Sequence, residues 1–471
     1  MPAPRLVAVP TCILLMSALA AGQEWPRFRG PNGSGVSEAT GLPVTFGPTT
    51  NLIWRTPIPF SRSSPVVSGD RVFLTTVEGD ALVTICLDRA TGRERWRRAV
   101  VRSRVTPAFK LNDAASPSPV TDGANVYVFF PDVGLLSFDA DGRERWRLPL
   151  GPFDTFYGLG ASPILADGTL LLVCDTRTKA FLIAVDAATG AVRWRVERTE
   201  IRFEGHASPV LWEPRGEPAQ VIVLGVNRLD AYAVMTGERL WWVRGLAFLP
   251  VASPLVDRGL VVVSTWGSES PTGPSFQDLL KSDANRDGRL SRDEAKDFDE
   301  FGAVDKDSDG FIYEREWDEL IKAGVGDYGM LAVRPNGRGD LTASGVAWRD
   351  KRNYSPVPTS LIYKDVLYVV KSGGVITSLD PQTGKVLKVD RSREALGEYY
   401  ASPVAADDKV FFINDAGKVT VVKAGREWGI LSVNDLGEET YATPAIAGTQ
   451  LFIRTRAAVY CFGTKLARGL H

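Results

Sequence analysis

The sequence predicts an all-β fold, an eight-bladed β-propeller closed by its N-terminal strand and interrupted in blade five by a small helical insertion. Three observations carry this reading. The first is the stretch 184–194, A-V-D-A-A-T-G-A-V-R-W, which recurs at 86–96 (C-L-D-R-A-T-G-R-E-R-W) and, shortened, at 138–146. Weaker copies end at Trp241 and Trp348, and 379–388 keeps the Asp and Thr-Gly without the tryptophan. The unit is a strand, a turn and a second strand. Asp186 can cap turn N–H groups, Gly190 tolerates positive φ, and Val185 and Trp194 suit a half-buried pleated surface. The second observation is a proline before an apolar run at Pro65, Pro119, Pro163, Pro209, Pro254, Pro358, Pro403 and Pro444, mostly behind a small residue and at intervals of 41–54 residues. That period is the length of one four-stranded blade. The third is the single interval of 104 residues, from Pro254 to Pro358, which holds one blade and about sixty further residues.

Taken in order, 1–22 reads as a signal peptide: Arg5, an apolar run from Leu6 to Ala20, and a small-residue end. Residues 23–50, opening W-P-R-F-R-G-P-N-G-S-G-V-S from Trp25, hold too much Gly, Pro and Ser for regular structure and are expected to drape over the propeller surface. The stretch 51–59 then reads as the last strand of a blade that has no earlier strands. The final repeat, 443–463, has three strands and lacks the fourth, so the N-terminal strand is expected to complete it and remove the open edge. The propeller is assigned to 51–274 and 326–471, and the insertion to 275–325. Blades one to four run from Ser64 to about Gly245, with each small-residue–proline strand innermost and each tryptophan strand outermost. The outer tryptophans are expected to wedge between blades, as burial of large rings favours. Blade five is finished by 329–335 and 345–349, with a tight turn expected at Arg338, Gly339 and Asp340. Blades six and seven follow, with Trp428 one residue early in its strand.

Hydrophobic residues make up 44% and charged residues 24%, and the net charge of −1 gives no electrostatic case for nucleic acid or anionic membrane. No run after the leader is long enough to span a bilayer. Cys86, Cys174 and Cys461 lie on separate strands and read as buried small apolar residues. Cys86 and Cys461 occupy equivalent places in blades that adjoin on ring closure, where a bridge is the lesser alternative.

On these residues the chain resembles the tryptophan-docking repeats of the pyrroloquinoline-quinone-like propeller superfamily. The resemblance rests on the A-x-D-x-x-T-G-x-x-x-W repeats, the W-P-x-F-R-G-P start and the segment 337–348. It covers nearly all of the mature chain and implies an exported bacterial propeller. The superfamily includes quinoprotein alcohol dehydrogenases and the lipoprotein propeller of the outer-membrane barrel-assembly machinery. The quinoprotein enzymes carry an adjacent cysteine pair, a catalytic Asp and a Glu/Asn pair holding calcium. This sequence has no adjacent cysteines, and the other residues do not map by motif, so quinone catalysis is not the favoured expectation.

The insertion holds the sharpest chemical signal. Residues 283–294 and 305–316 both match the twelve-residue EF-hand loop, which supplies a hard cation with oxygens at positions 1, 3, 5, 7, 9 and 12 and turns at a glycine in position 6. The expected calcium ligands in the first loop are Asp283, Asn285, Asp287, the Arg289 carbonyl, Ser291 and Glu294, with Gly288 at the turn. In the second they are Asp305, Asp307, Asp309, the Phe311 carbonyl and Glu316, with Gly310 at the turn. Tyr313 takes the position where Ser291 stands in the first loop. Leu290 and Ile312 suit the short β contact between paired loops. One helix, about 292–302, is expected to serve both loops.

The segments before the inner strands surround one mouth of the central channel and bring Arg62, Asn112, Tyr157, Glu204, His206, Tyr354, Glu398, Tyr399 and Tyr441 to it as candidate ligand residues. His206 has no partner at metal-ligand spacing, and no nucleophile elbow, phosphate-binding glycine loop or Cys-x-x-Cys occurs. The sequence therefore reads as a monomeric, calcium-binding, non-enzymatic periplasmic or secreted scaffold for a protein or glycan partner in the cell envelope. The alternative is a quinone-dependent oxidoreductase using the funnel.

Overall fold

A computed structural model describes residues 24–464 except 110, 201, 202 and 249. The expected leader lies outside the described residues. Eight sheets form the blades, each a four-stranded antiparallel meander running outward from the channel, with a fifth, parallel strand added at the edge of blade four. In blade three the strands are Ile164–Ala166, Thr169–Cys174, Phe181–Asp186 and Val192–Glu197. The middle strands are buried almost throughout, because blades cover them on both sides, whereas Val192–Glu197 leaves every second residue open to water. This is why middle strands read as continuous apolar runs and outer ones alternate. Blade eight joins Ala445–Ala447, Gln450–Arg454 and Ala458–Gly463 to the N-terminal strand Leu52–Pro57, with Trp54 opposite Cys461 and Pro57 opposite Ala458. Both chain ends thus close the ring.

Each outer tryptophan docks forward onto the turn of the next blade. The indole N–H of Trp54, Trp96, Trp146, Trp194 and Trp348 donates to the carbonyl of Arg89, Ala140, Ala187, Val234 and Pro381 respectively, at 2.8–3.0 Å. The turn glycine is needed twice over. At Gly190 φ is +78°, and an added Cβ would stand 2.7 Å from the Trp146 ring. An alanine there would meet both the left-handed backbone penalty and the indole. Two tryptophans depart from the rule. Trp428 turns back to the Ser378 hydroxyl of blade six (2.9 Å). Trp241 bonds to Gln220 of its own blade, and its strand gains a parallel neighbour, Gly339–Asp340. The Arg-Gly-Asp tripeptide is therefore partly a fifth strand on blade four, not only a tight turn.

At the axis, the repeated hydroxyl residue before each inner strand links one blade to the next. The N–H of Ser64, Ser118, Ser162, Ser253, Thr359, Ser402 and Thr443 donates to the hydroxyl of Ser118, Ser162, Ser208, Thr359, Ser402, Thr443 and Ser64 in turn, at 2.9–3.1 Å. The blade-six member is Thr359, so the place that proline takes in the other blades is held by Ser360 and Pro358 stands two positions before it. The ring is left open between blades four and five, where the buried Ser253 hydroxyl has no partner among the described residues.

The N-terminal segment does not drape. Trp25 pairs with Val67, Arg27 donates to the Pro209 carbonyl (2.9 Å), and Ser37 donates to Ala405. Arg29 is fully buried and donates to Gly33, Ser34, Thr359, Ser360 and Pro403 carbonyls at 2.8–3.3 Å. The segment is a plug that ties blades one, four, six and seven together. Cys86, Cys174 and Cys461 are free and buried, so the alternative Cys86–Cys461 bridge is absent. Among the described residues no helix is long and apolar enough to cross a membrane.

Candidate funnel and metal-loop sites

Beside the hydroxyl ring the channel widens into a funnel of about 360 Å³. Arg62, Asn112, Tyr157, His206 and Tyr441 line it, as the sequence led one to expect. Glu204 stands one layer out, in a smaller cavity with Arg177, Phe203 and Phe248. The other three candidates are not in the lining. Tyr399 is buried between blades six and seven and donates to the Ala395 carbonyl (2.6 Å). Its neighbour Tyr400 faces the funnel instead, since adjacent residues of an extended segment point opposite ways. Tyr354 is buried between blades five and six and bonds to Asp350. Glu398 lies on the exposed surface, bonded to Ser372. Sequence reading missed Phe28, which the plug contributes, Phe109 from the blade one–two connection, and Glu300 from the insertion. The motif around Phe28 was visible but its placement was not, and neither Phe109 nor Glu300 belongs to a repeated pattern.

Arg62 pairs with Asp113 (3.2 Å) and lies over the Phe60 and Tyr441 rings. His206 meets Tyr157 edge to face at 6.2 Å. Burial lowers its pKa to about 4. Burial also raises the Glu204 carboxyl to about 7, although it accepts the Phe156 and Tyr157 backbone N–H groups. Behind them Arg198 joins Asp175 of blade three to Asp230 of blade four, both fully buried, and fixes the seam between the two blades.

These two shifts have opposite linkage signs. His206 has a folded pKa of about 4 against an ordinary 6.5. The unfolded chain therefore takes up a proton first, and stability is lost as pH falls from 6.5 towards 4. Glu204 has a folded pKa of about 7 against an ordinary 4.5, so its contribution is complete at low pH and is lost as pH rises from 4.5 to 7. Relative to wild type, His206→Asn is expected to make stability fall with rising pH between those limits, and Glu204→Gln to make it rise. Each change has a slope of up to about 1 kcal/mol per pH unit. Denaturant titrations at three pH values check this, and parallel profiles for all three proteins would contradict it.

The insertion leaves blade five between Leu260–Thr265 and Gly329–Val333. It is built on Phe276, Leu290, Phe301, Val304, Ile312 and Trp317, which form their own core. Its first helix, Phe276–Leu279, starts with a reciprocal Ser275–Asp278 cap. The two acidic loops meet through an antiparallel pair, Leu290–Ser291 with Phe311–Ile312. The expected linking helix is mostly absent: 292–297 are turns, and only Phe301–Val304 is helical.

In the first loop Asp283 accepts the Arg286 and Gly288 N–H groups, and Glu294 folds back to accept from Ala284 and Ser291. Arg289 holds Asp287 at 3.0 Å. In the second loop, carboxylate oxygens of Asp305, Asp307 and Asp309 lie within 4.8 Å of one another. Glu316, fully buried, accepts from Lys306 (2.8 Å) and Tyr313 (3.2 Å). The Tyr313 hydroxyl reaches Asp309 at 2.9 Å. A hydroxyl therefore does stand beside the second loop's carboxylates, through a longer arm than Ser291 uses. The insertion is anchored on the propeller by Arg177, which pairs with Asp154 and donates to the Gly302 and Asp305 carbonyls at 2.8 and 3.2 Å, and by Lys306 over the Phe203 ring.

The fold and its docking repeats define a protein of the quinone-like propeller class. The family profile described as "Outer membrane protein assembly factor BamB" matches 44–268 and 182–465, and the chain belongs to that PQQ-like family. The chain is 26% identical over 238 residues to the polyvinylalcohol dehydrogenase of Sphingopyxis sp. (strain 113P3), covering 45% of this chain and 34% of that protein. It thus spans about a third of that curated relative. Among solved structures, BamB from Moraxella catarrhalis superposes with a TM-score of 0.54 at 13% identity, over 88% of this chain and 98% of that one. A europium-containing methanol dehydrogenase superposes with a TM-score of 0.60 at 10% identity, over 94% and 92%. Both likenesses concern the fold.

Proposed function

We propose that this protein is a calcium-binding, non-enzymatic scaffold of the cell envelope, exported to the periplasm or secreted, that presents its funnel face to a protein or glycan partner. The observation that carries the reading is the insertion: two acidic loops with EF-hand spacing, paired through Leu290 and Ile312 and anchored on the propeller by Arg177. Asp283, Asn285, Asp287, the Arg289 carbonyl, Ser291 and Glu294 would hold one ion. Asp305, Asp307, Asp309, the Phe311 carbonyl and Glu316 would hold the other. Calcium accepts such flexible oxygen cages and supplies a charge that neutralises the convergent carboxylates. The family's description as an assembly factor supports a protein partner.

Titrating calcium into the protein calorimetrically is expected to show two ions bound at roughly 10⁻⁴–10⁻³ M, the range of extracellular modules. A hundredfold excess over Kd would stabilise the insertion by about 2.7 kcal/mol. Glu294→Gln with Glu316→Gln is expected to abolish binding and loosen the insertion while the propeller melts as before. A large fall in the propeller transition would show that calcium does more than fold the insertion. Affinity purification from native envelope, with calcium and with chelator, identifies the partner.

A second reading, quinone-dependent oxidation in the funnel, is favoured by the similarity to polyvinylalcohol dehydrogenase. A quinone absorbance in the purified protein, with alcohol-dependent reduction of an electron acceptor, would establish it over the scaffold.

A further inference from the structure

The funnel wall is not made by the propeller alone. Five aromatic rings stand around it: Phe28, Phe109, Tyr157, Tyr400 and Tyr441. The insertion adds a carboxylate, Glu300, to the same lining as Tyr157. The Arg62 charge on the same wall is already balanced by Asp113. Burial keeps His206 neutral near pH 7. The result is an aromatic cavity with one surplus negative charge at its mouth. Aromatic faces attract cations through the negative centre of the ring, and a carboxylate beside them selects for charge over mere apolar bulk. A neutral aromatic guest would fill the rings and leave Glu300 unused, whereas an anion would meet it head on.

We propose that the funnel binds a small organic cation, an alkylated ammonium group with an apolar body, with Glu300 as its counter-ion. This goes beyond the scaffold reading and stands on the funnel geometry. Only its calcium dependence rests on that reading. Glu300 directly precedes the helix Phe301–Val304, and the next residue, Asp305, is the first of the second acidic loop. The same short helix is held to blade three by Arg177 through the Gly302 and Asp305 carbonyls. An ion in that loop would fix the residue on one side of the helix and so hold Glu300 at the funnel mouth.

Calorimetric titration of the full chain with choline and with its neutral isostere 3,3-dimethylbutan-1-ol tests the proposal. Choline is expected to bind at least tenfold more tightly than the alcohol. Glu300→Gln, at an exposed position where folding is not at stake, is expected to bring the two within twofold. Tyr400→Ala should weaken both ligands. Equal binding of the two ligands by the wild-type protein, or an unchanged choline preference in the Glu300→Gln variant, would overturn the proposal. Chelating calcium is expected to weaken choline severalfold. If direct calcium titration shows no binding while choline preference still depends on Glu300, the calcium reading fails and the cation site stands.

Discussion

Starting the chain after Pro57 is expected to abolish cooperative folding. Blade eight would keep three strands and expose the edge of Ala458–Gly463, which Leu52–Pro57 covers along five registered positions. An unpaired strand edge is a template for pairing with another molecule. The loss would also remove Trp54, 7% exposed in the structure, its bond to the Arg89 carbonyl and its docking against Gly92. Removing a ring of this size from a core typically costs about 3–5 kcal/mol by itself. The point variant Trp54→Ala should therefore lower stability by that amount while leaving a closed ring, as should Trp348→Ala in blade five. The truncated chain should instead lose its single sharp thermal transition and aggregate. Adding the peptide 24–57 back should restore part of the transition. A truncated monomer that melts as one unit near the wild-type temperature would show that closure is dispensable.

The propeller was legible because its stabilising contacts repeat. Each docking tryptophan needs a glycine turn on the next blade, and each inner strand needs a hydroxyl for its neighbour's N–H, so the same residues return once per blade. What breaks the repeat could not be read in this way. Trp428 reaches backwards because it lies just before its outer strand, Gly429–Asp435, where Ser432 takes the docking place, and Gly339–Asp340 adds to blade four across about a hundred residues of chain. Nothing local in Arg338, Gly339 and Asp340 distinguishes a turn from an added strand, since the choice is made by the exposed edge at Trp241 and Trp242.

The site was legible in part for the same reason. Arg62, Asn112, Tyr157, His206 and Tyr441 sit just before inner strands and line the funnel. Position in the repeat gave the neighbourhood but not the direction of each side chain: Tyr399 points into the core and Tyr400 to the funnel. The β contact between the two acidic loops, Leu290 opposite Ile312, was readable from their spacing. The segment between them was not. In place of the expected helix stand turns and a short helix, and Glu300 just before that helix lines the same funnel as Tyr157.

The N-terminal plug gives the other large effect. Arg29→Ala is expected to cost about 4 kcal/mol, the scale set by stranding buried partners of a charged hydrogen-bond donor. Arg29 is 0% exposed, and its partners are backbone carbonyls of the plug itself and of blades six and seven. Burial and the neighbouring Arg27 pull its pKa down to about 9, which still leaves it charged at neutral pH. The planar guanidinium can direct five N–H groups along fixed lines, so it bonds to Thr359, Ser360 and Pro403 while holding Gly33 and Ser34. A lysine has one ammonium and cannot reach both blades and the plug together. Arg29→Lys should therefore recover less than half of the loss, despite keeping the charge. For a chain of this size a loss of that scale lowers Tm by on the order of 4 °C. Thermal melts of the two variants measure it, and hydrogen exchange should quicken at residues 25–37 before it does in the blades. If lysine restored full stability, charge alone would be holding the plug, and the fork of donors that joins blade six to blade seven would be incidental.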